Sequence, residues 1–474
     1  MSRPFAASAA PSESSWLTRT VTGRLPDLQG RPDRGFARRP GLVIVAGFAG
    51  AVLVATLLLL LPAASAERPA TVLEALFTAT SAVCVTGLVV VDTATHWTGV
   101  GQALILLFIQ VGGLGIMTLA TLLGLLISRR LGLQSRRVAA ASTRSVGMGD
   151  VRTVLFGVAR ATLIVEGATA LVLTMRFAAG YDMPMGRALW HGVFHSVSAF
   201  NNAGFALYSD SLIPFATDPW VSLPIAIAVI LGGLGFPVLL ELHRQHRRPK
   251  RWSIHTKITV LMTLILLVGG WVFMLATEWN NPSTLGALDT PGKLLAGFFQ
   301  GVMPRTAGFN SLDTAAMSDG TLLGTVVLMF IGGAPAGTAG GIKVTTFAVL
   351  LVVIWSELRG DPDATIFDRR MTPAIQRQAL SVALLSVATV IVATMVITTT
   401  SEFGVNETLF EVVSAFATVG LSTGITDDLA PPHQLLLVIL MFIGRLGPVT
   451  LGAALAVRER QRLFRMPEGA PIVG

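Results

Sequence analysis

The segment Thr71–Asp92, TVLEALFTATSAVCVTGLVVVD, is the most informative part of the sequence, because it combines a helix-compatible half, a run of small residues ending in one glycine, and an acidic end. Segments of the same kind recur three times, as LWHGVFHSVSAFNNAGFALYSD, KLLAGFFQGVMPRTAGFNSLD and ETLFEVVSAFATVGLSTGITD. Their central glycines are 117, 104 and 112 residues apart, at Gly87, Gly204, Gly308 and Gly420. Spacings this long exclude a solenoid and indicate a helix–hairpin–helix unit present four times in one chain.

The composition is that of an integral membrane protein. Of the 474 residues, 52% are hydrophobic and only 13% are charged, about half the charged share of an ordinary globular protein. A soluble chain of this length needs more charge to cover its surface. The single cysteine, Cys84, also excludes a disulfide framework and a cysteine-rich metal cluster.

Eight apolar runs are long enough to cross a bilayer, which takes about 20 apolar residues. These predicted transmembrane spans are residues 41–63, 100–127, 151–177, 221–240, 254–276, 322–355, 380–399 and 435–457. Each glycine-centred segment falls between an odd-numbered span and the next one. An even number of spans predicts that both termini lie on the same side of the membrane.

The distribution of positive charge orients the chain. Of the 35 basic residues, 27 lie on the side of the termini, in residues 1–40, 129–153, 241–257, 357–377 and 458–474. By the positive-inside rule these segments are predicted to be cytoplasmic. The net charge of +8 thus reflects membrane topology and argues against nucleic acid as a partner. Residues 1–40 lack periodicity and are predicted to be a disordered basic tail.

The repeated segments favour a cation pathway. Non-helical backbone at membrane depth is tolerated only where protein buries it or where it lines a water-filled cavity. Each short helix would point its C-terminal end, the negative end of the helix dipole, towards a common axis. The glycine then lets backbone carbonyls face that axis, as in carbonyl-lined potassium filters. The alternative is a transporter with four packed re-entrant loops, in which the glycines only form tight turns.

The repeated segments resemble the pore loops of the Trk/Ktr/HKT potassium transporters in the stretches TSAVCVTGLVVVDT, SAFNNAGFAL, PRTAGFNSLD and SAFATVGLSTGIT. Two further segments of this chain resemble parts of that family. GGAPAGTAGGIKVTT is similar to its third-repeat gating segment, and FIGRLGPVT is similar to its fourth-repeat inner helix. The resemblance covers residues 41–474, and eight spans make the chain most similar to the KtrB type of membrane subunit.

The resemblance implies an all-α integral membrane protein with eight transmembrane helices. Four M1–P–M2 units, each a helix, a pore loop and a helix, would surround a central pore with pseudo-fourfold symmetry. After the tail at 1–40, the units would occupy residues 41–140, 141–250, 251–365 and 366–474. The third unit would carry the gating loop, and the fourth would end in the C-terminal tail.

The resemblance also implies a function, which is K⁺ uptake across a bacterial plasma membrane with both termini in the cytoplasm. It implies a homodimer in membrane lipid, regulated by a cytoplasmic ring of RCK-domain subunits. Nucleotide is expected on that partner, and no cofactor is expected in this chain. Whether Na⁺ drives or regulates uptake is left open.

The predicted selectivity filter takes three residues from each unit, whose carbonyls would coordinate a dehydrated K⁺. They are Val85, Thr86, Gly87, Asn202, Ala203, Gly204, Thr306, Ala307, Gly308, Thr418, Val419 and Gly420. One glycine per unit, where TVGYG filters have two, predicts a shorter selective region.

The predicted gate interrupts the sixth span, because no straight helix accommodates its density of glycine together with a proline. By position this loop lies below the third filter segment, and the resemblance implies that it obstructs the pore. It is not a phosphate-binding loop, because Ile342 precedes the lysine where that motif requires glycine. The gate residues are Gly332, Gly333, Ala334, Pro335, Ala336, Gly337, Thr338, Ala339, Gly340, Gly341, Lys343 and Arg445.

Charged residues inside or near the membrane are functional-site hypotheses. Arg445 and Lys343 either meter cations beneath the filter or form buried salt bridges between units. Glu166, in the third span, is expected to pack against a polar partner, and the alternative is a role in the ion pathway. Five carboxylates follow the filter glycines and either attract cations to the pore mouth or end ordinary loops. They are Asp92, Asp210, Asp313, Asp427 and Asp428.

Two other classes of function compete with a potassium channel or transporter. An intramembrane enzyme would need a convergent set of catalytic or metal-binding residues, such as the HExxH metalloprotease motif, which does not occur. A secondary transporter with broken helices, carrying another cation or a small solute, predicts two inverted halves. Four parallel units fit the sequence better.

Overall fold

The computed structural model describes residues 40–66, 68–130 and 151–447, which are mostly helical. In chain order the helices are α1 (Pro40–Leu59), α2 (Val72–Val83), α3 (Gly99–Arg130), α4 (Val151–Gly180), α5 (Met185–Phe200), α6 (Pro219–Leu234), α7 (Phe236–Gln245), α8 (Ile254–Glu278), α9 (Thr290–Val302), α10 (Asp319–Phe330), α11 (Val344–Arg359), α12 (Pro373–Thr400), α13 (Val405–Ala417) and α14 (Pro431–Leu446). A two-stranded antiparallel hairpin, β1 (Thr365–Ile366) and β2 (Arg369–Arg370), connects α11 to α12. The predicted tail, apart from its last residue, lies outside the described residues.

Four of the described helices are long and apolar enough to cross a membrane, namely α1, α4, α8 and α12, and the bent pair α6–α7 makes a fifth candidate. Their outer faces expose large apolar side chains such as Phe156, Leu163, Leu384 and Met395. An apolar surface of this extent is stable in contact with lipid and not with water. The total of eight spans stays a prediction, and residues 448–457 of the last predicted span lie outside the described part of the chain.

Four short helices, α2, α5, α9 and α13, lie between the longer ones with most of their side chains buried. Local capping fixes where two of them begin. On α2, Thr71 and Glu74 form a reciprocal capping box, with bonds of 3.3 and 2.8 Å. On α13, the Glu407 carboxylate accepts the Gly404 N–H at 3.1 Å. These caps satisfy N–H groups that a helix start otherwise leaves unpaired.

The short helices share clusters of buried apolar side chains. One cluster joins Phe77 of α2 to Phe410 and Phe416 of α13, so that the first and last short helices share a core. Another cluster joins Phe200 of α5 to Phe299 of α9. The contact between α2 and α13 brings the first short helix next to the last one, which closes the arrangement of the four short helices.

Two predicted spans are broken. The fourth, predicted as an uninterrupted run over residues 221–240, bends by 100° between α6 and α7. The bend occurs at Gly235, which has a φ of 81°, and Pro237 occupies the first turn of α7. Glycine permits this left-handed conformation, and proline suits a new helix start, so the apolar run hides a break. The sixth span is interrupted between α10 and α11, as its glycine density predicts.

Candidate functional site

The four segments that follow the short helices share one backbone conformation. In each, the residue two positions before the central glycine is left-handed, with φ between 50° and 68°. These four residues are Val85, Asn202, Thr306 and Thr418. The glycine of each segment is also left-handed, with φ between 71° and 97°. The segments therefore make the same turn four times, as their alignment predicts.

Three of these left-handed residues, Val85, Thr306 and Thr418, are β-branched, a side-chain type for which a positive φ is a genuine outlier. Such strain costs about 1–3 kcal/mol per residue and persists only where the surroundings enforce it. It concentrates at ligand-binding and catalytic sites. Other non-glycine residues with a positive φ occur elsewhere in the described chain, but the β-branched ones all lie in the segments that the sequence singles out.

The N–H groups of these segments are bonded to the short helices. Thr86 N donates to the Ser81 carbonyl at 2.7 Å, and Gly87 N donates to the Ser81 hydroxyl at 3.0 Å. The fourth segment makes the same two bonds to Ser414, at 2.8 and 3.1 Å. Because the helices satisfy these donors, the carbonyl oxygens of the segments remain available for another partner.

The four glycines form a closed ring. A Cβ atom on any of them would lie within 3.0 Å of the carbonyl oxygen that precedes the glycine of the next segment. The facing pairs, in order around the ring, are Gly87 with Ala203, Gly204 with Ala307, Gly308 with Val419, and Gly420 with Thr86. Four backbone oxygens thus surround one axis, and the absence of a Cβ allows the segments to approach this closely.

An open cavity of about 530 Å³ lies on the side of the ring that is formed by the residues following each glycine. All four central glycines line it, and so do Asp92, Asp210, Asp313 and Asp427. Asp428 is exposed outside it. Carboxylates around a concave mouth make its potential negative and raise the local concentration of cations.

The loop between α10 and α11 packs against the residues that precede the glycines, away from that cavity. The Thr338 hydroxyl donates to Oδ1 of Asn202 at 2.8 Å. A Cβ on Gly340 would overlap the side chain of Thr418. Within the loop, Ile331 and Ile342 pair as a parallel bridge. Sequence position suggested a loop beneath the third filter segment, but these contacts link it to the second and fourth.

Two cations, the buried Arg445 and the half-buried Lys343, hold this loop through backbone oxygens. Arg445 donates to the carbonyl of Thr338 and, at 3.3 Å, to the carbonyl of Gly112 in α3. The ammonium of Lys343 donates to the Ala339 carbonyl at 2.6 Å. Among the described residues neither cation forms an ion pair with a carboxylate, so the salt-bridge alternative finds no partner. Both side chains line a cavity of about 220 Å³ next to α12.

Glu411, fully buried in α13, braces the stretch that follows the fourth glycine. It accepts hydrogen bonds from the hydroxyl of Ser422, from Thr423 N at 3.0 Å and from the Thr426 hydroxyl at 2.9 Å. Residues 420–424, GLSTG, formally match the GxSxG nucleophile pattern. Ser422, however, lacks the strand-to-helix turn that exposes such a nucleophile, and its hydroxyl is used in this brace.

Glu74 stabilises the start of α2 through hydrogen bonds. The Arg68 guanidinium donates to its carboxylate at 2.9 and 2.6 Å, and the Thr71 N–H adds a third bond. The hydrogen bonds from Arg68, together with those from Thr71, lower the pKa of Glu74 to about 2. Stabilisation of the helix start accounts for this carboxylate.

A polar cluster lies behind the second of the predicted filter segments, and the sequence did not identify all of its members. Asn201, the residue that directly follows α5, donates to Glu166 at 3.1 Å and to Gln110 at 2.8 Å. Gln110 also donates to Glu166 at 3.3 Å. Glu166 was expected to have a polar partner, and this pair supplies it. The available signal was Gln110, a polar residue inside the apolar run of α3.

Comparison with known proteins gives a consistent result. The TrkH family profile, described as a cation transport protein, matches residues 14–464. The chain is 39% identical to Ktr system potassium uptake protein B of Bacillus subtilis (strain 168), over 92% of this chain and 97% of that protein. The protein of the same name from Vibrio alginolyticus is 38% identical, over 95% and 98%. Potassium/sodium uptake protein NtpJ of Enterococcus hirae is 35% identical, over 92% and 97%.

A similar fold occurs in a solved structure, the crystal structure of the potassium transporter TrkH from Vibrio parahaemolyticus. The TM-score is 0.68 at 18% sequence identity, and the match covers 90% of this chain and 87% of that one. At this identity the likeness establishes the fold only.

Proposed function

The chain belongs to the TrkH family of cation transport proteins, and from that premise we propose that it takes up K⁺ across the plasma membrane as the ion-translocating subunit of a Ktr-type system. Family membership agrees with the resemblance carried by the pore-loop motifs. It also excludes an intramembrane enzyme, because the family is one of transporters. The substrate is supported by relatives at 38–39% identity whose names specify potassium uptake.

The observation that carries the proposal is the closed ring of four backbone oxygens at the base of an acidic cavity. A cation entering from that cavity must shed water to pass so narrow a ring. Carbonyl oxygens replace the hydration shell at small cost when they already point at the ion's path. The C-terminal ends of the short helices add a favourable potential for a cation at the same place. The proposed filter consists of the twelve residues that the sequence analysis assigns to it.

The gate of this pathway is the loop at residues 332–341. Thr338 and Gly340 touch the second and fourth filter segments, and Arg445 and Lys343 hold the loop there. Two positive side chains beneath the ring oppose cation passage, so conduction requires the loop and its cations to move aside. A cytoplasmic ring of RCK-domain subunits with bound nucleotide would drive that movement.

The assembly is a homodimer of chains with eight spans each, with both termini in the cytoplasm. The excess of basic residues in the predicted cytoplasmic segments supports this orientation. A role for Na⁺ as driving or regulatory ion is supported only by the relative named as a potassium/sodium uptake protein.

Complementation tests the function. The chain is expressed in a bacterium that lacks its own K⁺-uptake systems, at low external K⁺, with and without a co-expressed RCK subunit. Growth and K⁺ accumulation that require the chain, and increase with the subunit, are expected. A chain that reaches the membrane but supports neither, under both conditions, contradicts the proposal.

A further inference from the structure

One side-chain hydrogen bond joins the gating loop to the filter ring. The Thr338 hydroxyl lies 2.8 Å from Oδ1 of Asn202 and 3.3 Å from the carbonyl oxygen of Phe200. Both Thr338 and Asn202 are completely buried. The hydroxyl has one proton, so its shorter contact, with Asn202, is the principal bond.

The backbone alone does not explain an asparagine at position 202. Asparagine tolerates a left-handed φ better than other residues with a Cβ. The matching positions of the other three segments, however, are Val85, Thr306 and Thr418, and they adopt the same conformation. An amide at this position is therefore not required by the turn. Asn202 also makes a bond to the loop that Val85 is chemically unable to make.

The surroundings leave room for this bond and hold it from both sides. A Cβ on Gly232 of α6 would lie 2.8 Å from Asn202 Oδ1 and 2.9 Å from the Thr338 hydroxyl. Behind Asn202, its neighbour Asn201 is fixed by Glu166 and Gln110. On the loop side, the carbonyl of Thr338 accepts a hydrogen bond from Arg445. Thr338 therefore links Arg445 to Asn202 of the second filter segment.

We propose that the Thr338–Asn202 bond is a latch between gate and filter, which holds the loop in its blocking position and holds the second filter segment in register with the other three. The inference rests on the proposed function, because it presumes that the ring selects K⁺ and that the loop obstructs it. Opening the gate must break this bond and release the Asn202 side chain. Gate position and filter geometry are thereby coupled within one chain.

The test uses the full chain in proteoliposomes, with tracer fluxes of K⁺ and Na⁺ measured separately. Thr338→Val keeps the shape of the side chain and removes the hydroxyl. Asn202→Val removes the acceptor, and Val85 shows that valine is compatible with the turn. Thr338→Ser retains the hydroxyl. The matched control is Thr325→Val in α10, a completely buried threonine whose hydroxyl has no partner among the described residues.

Each of the two variants that break the bond is expected to raise K⁺ flux about two- to tenfold, the range of one ordinary hydrogen bond, and to lower the K⁺/Na⁺ flux ratio. The double variant should raise flux no further than the stronger single variant, because both remove the same bond. Thr338→Ser, which keeps the hydroxyl, should lie closer to the wild type than Thr338→Val, and Thr325→Val should match the wild type. If Thr338→Val does not fold, Asn202→Val against Thr338→Ser makes the same comparison.

The outcomes separate the two proposals. A wild-type chain that carries K⁺, with single variants that leave flux unchanged or whose effects multiply in the double variant, overturns the latch alone. A wild-type chain that inserts correctly but carries no K⁺, either alone or with a co-reconstituted RCK subunit, overturns the proposed function, and the latch fails with it.

Discussion

Replacing Gly308 by serine should weaken discrimination between K⁺ and Na⁺, and the structure gives the size of the disturbance. Gly308 has a φ of 72°, a conformation that costs a serine about 1–3 kcal/mol. Its Cβ would lie 2.5 Å from the Val419 carbonyl oxygen and 3.1 Å from the Cα atoms of Gly204 and Gly420. All three neighbours are backbone atoms, so no side-chain rotation relieves the overlap.

The Val419 oxygen must therefore retreat by about 0.9 Å to reach the ordinary contact distance of 3.4 Å. A carbonyl displaced this far no longer matches the ion that the ring is built to hold. A loss of about 1.4 kcal/mol in the relative stabilisation of the two ions changes their ratio tenfold. We expect the K⁺/Na⁺ flux ratio of Gly308→Ser to fall by about that factor or more.

The assay is tracer uptake of K⁺ and Na⁺ into proteoliposomes that contain equal amounts of protein. Gly50→Ser in α1 is the matched control, because a Cβ there meets nothing within 4 Å. The control should keep the wild-type ratio. A Gly308→Ser protein that inserts normally and retains the wild-type ratio would refute the assignment of the ring as the filter.

Three further predictions concern the gate, the mouth and the first short helix. Arg445→Gln loses the charge that holds the loop and should raise K⁺ flux, whereas Arg377→Gln, at an exposed position of α12, should not; unchanged or lower flux in Arg445→Gln argues against the gate. Asp210→Asn should reduce uptake at low external K⁺, and the reduction should shrink as ionic strength rises, because salt at 0.15 M largely screens exposed charges that are more than about 8 Å apart. An effect independent of salt would mean that Asp210 acts by a local contact. Glu74 has a folded-state pKa of about 2, below its unfolded value, so its stabilising effect is present at neutral pH and is lost as pH falls from about 4 towards 2. The thermal midpoint of Glu74→Gln in detergent should therefore fall less than that of the wild type over this range, by a small amount since Arg68 is exposed; equal falls would contradict the lowered pKa of Glu74.

The ring was predictable from the sequence because its chemistry leaves few choices. Close approach of four backbones at a positive φ requires glycine, and four glycines in matching contexts at regular spacing mark the positions. The interrupted sixth span was predictable for a similar reason, since proline and clustered glycine are incompatible with a straight helix.

Other features depend on contacts that no local pattern encodes. The bend at Gly235 lies inside a run as apolar as a true span, so hydropathy alone does not detect it. The hydrogen-bond partners of Glu166 and Arg445 are distant from them in the sequence. The placement of the loop against the second and fourth filter segments likewise depends on tertiary packing and breaks the fourfold pattern that the sequence suggests.

The most direct test of the account is an experimental density map of the protein in K⁺, with a second data set in Rb⁺ to identify the ion by anomalous scattering. An ion peak is expected on the ring axis, coordinated by the carbonyl oxygens of Thr86, Ala203, Ala307 and Val419. A well-resolved ring with no ion on its axis, or with ions bound only elsewhere in the chain, would contradict it.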